Sequence, residues 1–134
     1  MKEPKILIVE DEFIFARDLE DEIKNMGYNV IGIVKTGEEA IKRVDTENPD
    51  LIIMDINLAG KIDGIETCVQ IKNKHNQTSI IYITAYNDSN TLKKAIGTNP
   101  DNFLCKPVKE EVLESTIETI IFKSDLLKKT KHAS

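Results

Sequence analysis

The sequence is poor in the residues that build disulfide frameworks and zinc sites. Its 134 residues include two cysteines, Cys68 and Cys105, and two histidines, His75 and His132. Neither cysteine belongs to a Cys-x-x-Cys pair, so a zinc site is not expected. Both cysteines read as small core hydrophobes of a protein kept in a reducing compartment. His75 lies in the polar stretch Asn73 to Ser79 and reads as a surface residue. The chain also lacks long apolar runs: none approaches the ~20 residues that a membrane-spanning helix needs. No signal-peptide pattern opens it, because Met1-Lys2-Glu3-Pro4 leads straight into a strand-like segment. A soluble, cytoplasmic protein with no membrane partner is expected. Positive charge is in deficit as well. With 18 Lys and Arg against 23 Asp and Glu, the formal net charge is -5. That argues against a nucleic-acid-binding surface. Internal repeats and low-complexity stretches are missing too.

What is there is an alternation of short apolar runs and amphipathic stretches, at a length that suits one domain. A chain of this size buries about two-thirds of its unfolded surface, so it needs no disulfide or structural metal to hold it. The first run, Ile6-Leu7-Ile8-Val9, is continuous, as in a parallel strand covered on both faces. A helical pattern follows with Ala16, Leu19, Ile23 and Met26, and Gly27 sits where a C-terminal cap belongs. A second strand is expected at Val30 to Val34. Thr36-x-x-Glu39 then forms a capping box for a helix with Ala40, Ile41 and Val44 inward. Asn48-Pro49 ends that helix. The third strand is Leu51 to Met54, with Asp55 directly behind it. A loop leads to a second capping box, Asp63-x-x-Glu66, and a helix carrying Ile65, Cys68, Val69 and Ile71.

The fourth strand is Ile80 to Ile83, followed by Thr84-Ala85 and a helix with Leu92, Ala95 and Ile96. The fifth is Phe103 to Cys105, ending at Lys106-Pro107. The last helix begins near Val108 and is expected to bury Val112, Leu113, Thr116, Ile117 and Ile120. Residues 1–124 form the expected domain, and 125–134 a polar, frayed tail or the start of a linker. Alternating strands and helices imply an α/β protein. The expected fold is a flavodoxin-like doubly wound (βα)5 with a five-stranded parallel sheet in the order 2-1-3-4-5 and helices on both faces. Such folds bind ligands outside the carboxyl ends of their strands.

Those ends carry chemistry. Strand one delivers Glu10, Asp11 and Glu12, strand three Asp55, strand four Thr84 and strand five Lys106. Gathered carboxylates repel one another, and a hard divalent cation relieves that. Mg2+ (or Mn2+) takes oxygen ligands, keeps several waters and uses one or two carboxylates, which Asp11 and Asp55 can supply. A backbone carbonyl in the loop after Asp55 offers a third oxygen, and Glu10 suits a metal-bound water. Phosphoryl transfer needs positioning and charge neutralisation. Asp55 suits the nucleophile. The Lys106 ammonium, the Thr84 hydroxyl and the Ala85 N–H suit the phosphoryl oxygens.

The segments Ile-Leu-Ile-Val-Glu-Asp-Glu at 6–12, Ile-Met-Asp-Ile at 53–56, Asp-Gly-Ile at 63–65, Ile-Thr-Ala at 83–85 and Lys-Pro at 106–107 stand in this order along the chain. On them the sequence resembles the receiver domain of bacterial and archaeal two-component response regulators, over roughly residues 4–124. The resemblance implies that Asp55 is the phosphoacceptor, and that Asp11, Asp55 and the Asn57 backbone carbonyl hold the metal, with Glu10 the outer acidic residue. It implies that Lys106 binds the phosphoryl group, that Thr84 and Phe103 form the switch, and that the Lys106-Pro107 bond is cis. The implied partner is a sensor histidine kinase or histidine phosphotransfer domain. The strand-five and last-helix face is a common partner surface in the family. There Ile121, Phe122, Leu126 and Leu127 read as core packing plus a frayed end, or as a homodimer contact or connecting helix.

Departures from the family pattern lie around the site. The loop after Asp55 has one extra residue near Gly60-Lys61 and lacks the Pro usual near Ala59. Phe103 replaces a frequent Tyr, so the switch would rest on packing alone. Tyr86, two residues beyond Thr84, would shield an acyl phosphate from water and, with Asn57, tune its lifetime. Other readings fit less well. A small-substrate phosphatase wants a second Asp where Asn57 stands, and a flavin binder wants a neutral phosphate loop where Glu10 to Glu12 stand. A degenerate receiver acting only as a binding module is the alternative function, and it would need a broken acidic pocket or a lost lysine.

Overall fold

The computed structural model describes residues 3–85 and 88–133. Strands and helices alternate throughout: β1 (Lys5–Val9), α1 (Phe13–Asn25), β2 (Asn29–Val34), α2 (Gly37–Glu47), β3 (Leu51–Asp55), α3 (Gly64–Lys74), β4 (Ser79–Thr84), α4 (Ser89–Gly97), β5 (Asn102–Cys105) and α5 (Glu110–Ala133). The sheet is parallel in every pairing and has the order β2-β1-β3-β4-β5. The expected topology is therefore the observed one.

The continuous apolar strands serve two cores at once, because successive side chains point to opposite faces. Ile6, Ile8, Leu51, Ile53, Ile81 and Ile83 pack against Ala16, Leu19 and Ile23 of α1 and Leu113, Ile117 and Ile120 of α5. Their neighbours Leu7, Val9, Ile52, Met54, Ile80 and Tyr82 pack on the other face against α2, α3 and α4. Both capping boxes form on their donor side: Glu39 N–H donates to Thr36 Oγ1 at 3.2 Å and Glu66 N–H to Asp63 Oδ1 at 2.9 Å. Asn48 closes α2 in the left-handed region, at φ 48°.

Some expectations about burial do not hold. Val112 is exposed and Thr116 is only half-buried. Along α5 the buried line is Leu113, Ile117 and Ile120, and Val112 sits about 100° round the helix from Leu113. Cys105 is exposed, unlike buried Cys68, because it ends the four-residue edge strand β5. Helix α5 runs on through residues 125–133 to Ala133. It contains neither Gly nor Pro, and Leu126, Leu127, Lys128 and Lys129 are good helix formers. Polarity there marks a solvated helix. Its Lys128 reaches Asp50, just before β3, at 3.7 Å.

Candidate functional site

The parallel register brings the ends of β1, β3, β4 and β5 to one edge. Val9 stands beside Met54, and Asp55 beside Ile83, so Glu10, Asp55 and Thr84 leave the sheet within one residue of each other's level. Glu10, Asp11 and Asp55 each offer a carboxylate oxygen within 4.8 Å of the others. Glu10 and Asp55 are buried and Asp11 is exposed. Thr84 is fully buried at the end of β4, where its carbonyl accepts from Lys106 N–H at 2.8 Å. That bond aligns the start of the β5–α5 turn, and the Lys106-Pro107 peptide is cis, as expected.

Lys106 gathers the carboxylates. Its Nζ lies 2.6 Å from Glu10, 3.0 Å from Glu12 and 3.2 Å from Asp55. Phe15, in the first turn of α1, places its ring under the same ammonium, 4.2 Å from the ring centroid. Burial alone would lower the Lys106 pKa. Hydrogen bonds to Glu10 and Glu12 and the charge of Asp55 outweigh that and raise it, so Lys106 stays charged. Burial pushes the Glu10 carboxyl up to about 7 despite its bond to Lys106. Four carboxylates against one ammonium leave a surplus of negative charge at a partly buried spot. Oxygen donors of this type and number suit a hard divalent cation.

The loop after β3 is tightly tied. Gly64 N–H closes its base on Ile56 O at 2.7 Å. Asn57 N–H donates to Asp55 Oδ1 at 3.0 Å and Ala59 N–H to Asp11 Oδ2 at 3.2 Å. Gly64 is required for this closure, because a Cβ there would stand 2.2 Å from the Asp55 carbonyl oxygen. Gly60 turns the loop just before Lys61 at φ 103°, a conformation open to glycine at no steric cost. Glu38 Oε1, from the first turn of α2, accepts from Lys61 N–H at 3.0 Å and Ile62 N–H at 3.1 Å. Backbone donors, its own N–H first and then those of Lys61 and Ile62, hold the Glu38 carboxyl below the usual range.

Asp55, Asp11, Glu10, Lys106 and Thr84 thus meet as the sequence implied. Asn57 sits on the adjoining loop, and Ala85 is exposed just beyond Thr84. Phe103 is half-buried and meets Tyr82 edge-on, with centroids 6.1 Å apart. Tyr86 lies outside the described residues. Sequence reasoning missed Glu12 and Phe15 as neighbours of Lys106, and Glu38 altogether. The position of Phe15, in the first turn of a helix that begins beside the acidic triplet, was the available signal for an aromatic near the site.

Residues 6–118 match the family model of the response regulator receiver domain. The chain belongs to this family. Among the relatives of this receiver domain is the alkaline phosphatase synthesis transcriptional regulatory protein PhoP of Bacillus subtilis strain 168, 32% identical over 122 residues. The match covers 91% of this chain and 50% of PhoP. A cyclic di-GMP phosphodiesterase of Thermotoga maritima is 36% identical over 112 residues, 84% of this chain and 29% of the enzyme. The receiver domain of a modulated diguanylate cyclase from Desulfovibrio desulfuricans G20 superposes with a TM-score of 0.87 at 37% identity, covering 93% of this chain and 98% of that one. The chain therefore spans about half the length of PhoP and less than a third of the phosphodiesterase. It is a receiver domain of two-component response regulators, and its acidic pocket and lysine are intact.

Proposed function

We propose that Asp55 is the phosphoacceptor of this receiver domain and that a sensor histidine kinase or histidine phosphotransfer domain supplies the phosphoryl group. The convergence of Glu10, Asp11, Asp55 and Lys106 on one sheet edge carries this reading. An Asp55 carboxylate oxygen attacks phosphorus, the P–N bond of the phosphohistidine breaks, and the imidazole leaves with the electron pair. Lys106 exchanges its carboxylate partners for a phosphoryl oxygen. The Thr84 hydroxyl and the Ala85 N–H donate to others, and movement of Thr84 is coupled to the packing of Phe103 against Tyr82. Asp11, Asp55 and the Asn57 carbonyl would hold Mg2+ (or Mn2+), with Glu10 holding a metal-bound water. When bound, the ion neutralises charge on the transferring group.

The domain's own phosphorylation and dephosphorylation are the only reactions this reading assigns to it. Its output is a change of surface offered to a partner. Residues 1–124 form the switching unit, and the rest of α5 leads towards an output segment, in line with relatives about twice as long. Among the described residues no helix is long and apolar enough to cross a membrane. A cytoplasmic site of action fits the reading, since kinases and phosphotransfer domains present phosphohistidine there.

Incubation with acetyl phosphate and MgCl2, followed by intact-mass measurement, tests the proposal. A single phosphoryl adduct is expected, lost in Asp55→Asn and in the presence of a chelator. Absence of an adduct from both a small donor and a kinase would establish a phosphorylation-independent binding module instead.

A further inference from the structure

The β3–α3 loop carries Asn57 and ties itself to two carboxylates from different elements. One is Asp11, which accepts from Ala59 N–H. The other is Glu38, which accepts from Lys61 and Ile62 N–H with a single oxygen. Thr36 and Ala59 add a parallel bridge between the β2–α2 turn and the loop. The two carboxylates are not equivalent. Asp11 belongs to the acidic cluster, and a carboxylate that ligates a cation has less charge left for an amide donor. Glu38 is absent from that cluster among the described residues. Its grip on the loop does not compete with a cation.

The fit around Glu38 is close. Its second oxygen stands 2.8 Å from where a Cβ on Gly60 would lie, so the turn wraps the carboxylate. The clamped amides follow directly on the Gly60 turn. Glu38 itself is rooted in the first turn of α2, where a carboxylate is favoured by the helix dipole and the helix is fixed by the Thr36 cap.

We infer that Glu38 is a positioning residue for the cation site, holding the β3–α3 loop, and Asn57 with it, in register against Asp11 and Asp55. The inference rests on the proposed cation-assisted function. It makes Glu38 an outer partner of the kind that orients ligands without touching the metal.

The test uses the metal alone. Mg2+ titrations by calorimetry on wild type, Glu38→Ala and Glu38→Gln are paired with amide hydrogen exchange at Lys61 and Ile62. Glu38→Ala should weaken Mg2+ binding about tenfold, at the low end for outer-shell partners, and speed exchange at both amides. Glu38→Gln keeps an acceptor oxygen and should restore both readouts towards wild type. Unchanged Mg2+ affinity in Glu38→Ala, with faster exchange, would reduce Glu38 to a local structural role and overturn the inference. Equal weakening in Glu38→Ala and Glu38→Gln would overturn it in favour of a long-range charge effect. Wild-type protein that binds no Mg2+ would instead sink the proposed function, and this inference with it.

Discussion

The two ends of the sheet use the same side chains for opposite purposes. At the amino end, Asp50 accepts from Lys5 N–H at 2.7 Å and faces Lys128, while Asp101 accepts from Ile80 N–H at 2.7 Å and lies 3.9 Å from Lys72. Each of these carboxylates has a backbone donor and a cation of its own. At the carboxyl end, Glu10, Glu12 and Asp55 share Lys106, with Asp11 close by. There the charge is left uncompensated. The amino end shows what aspartates look like when they serve only the fold. The contrast supports the proposal that the carboxyl end takes a positive ion.

The comparison breaks most visibly at Lys106. Lys106→Ala removes the cation that three carboxylates share. Adduct formation from acetyl phosphate should fall by about 100-fold, the scale of losing one preorganised charge partner of a reacting group. Thermal unfolding should then respond more strongly to Mg2+ than in wild type, because the ion replaces the lost charge. If Mg2+ raised neither melting temperature, the acidic surplus would not be a cation site.

The matching change at the other end is Asp50→Ala. It leaves the Lys5 amide without its acceptor and should cost about 1–3 kcal/mol in urea unfolding. Adduct formation at saturating acetyl phosphate should not change, and Mg2+ should recover none of the lost stability beyond its effect on wild type. A variant as stable as wild type would show that Asp50 contributes nothing measurable to the strand end.

A smaller effect sharpens the comparison at Glu10. Burial raises its carboxyl from 4.5 to about 7 in the folded protein. The folded state therefore holds this proton over a window in which the unfolded chain has released it. Without metal, the Glu10 contribution to stability is full below that window and is lost as pH rises through it. Chelator-treated wild type should lose more stability than Glu10→Gln between about pH 5 and about pH 7. Metal binding runs the other way, since it needs the ionised carboxylate. Identical slopes for the two proteins would remove Glu10 as the cause.

Much of this was legible before any coordinates. Continuous apolar runs such as Leu51 to Met54 signal strands buried on both faces, and their first polar residues, Glu10, Asp55, Thr84 and Lys106, signal the site. Parallel topology alone then gathers them. What escaped depends on backbone paths that no periodicity encodes. Glu38 sits in an ordinary-looking Gly-Glu-Glu helix start, and only the course of the β3–α3 loop brings Lys61 and Ile62 to it. The length of α5 escaped for another reason. Lysine-rich composition reads the same on a solvated helix as on a tail, and no Gly or Pro lies between Glu110 and Ala133 to mark an end.

That helix starts four residues beyond Lys106 and passes the far end of the sheet at Lys128. With 24 residues it is about 36 Å long. Leu113, Ile117 and Ile120 seat its first half on the sheet, so one continuous rod joins the edge that carries Lys106 to the edge that carries Asp50.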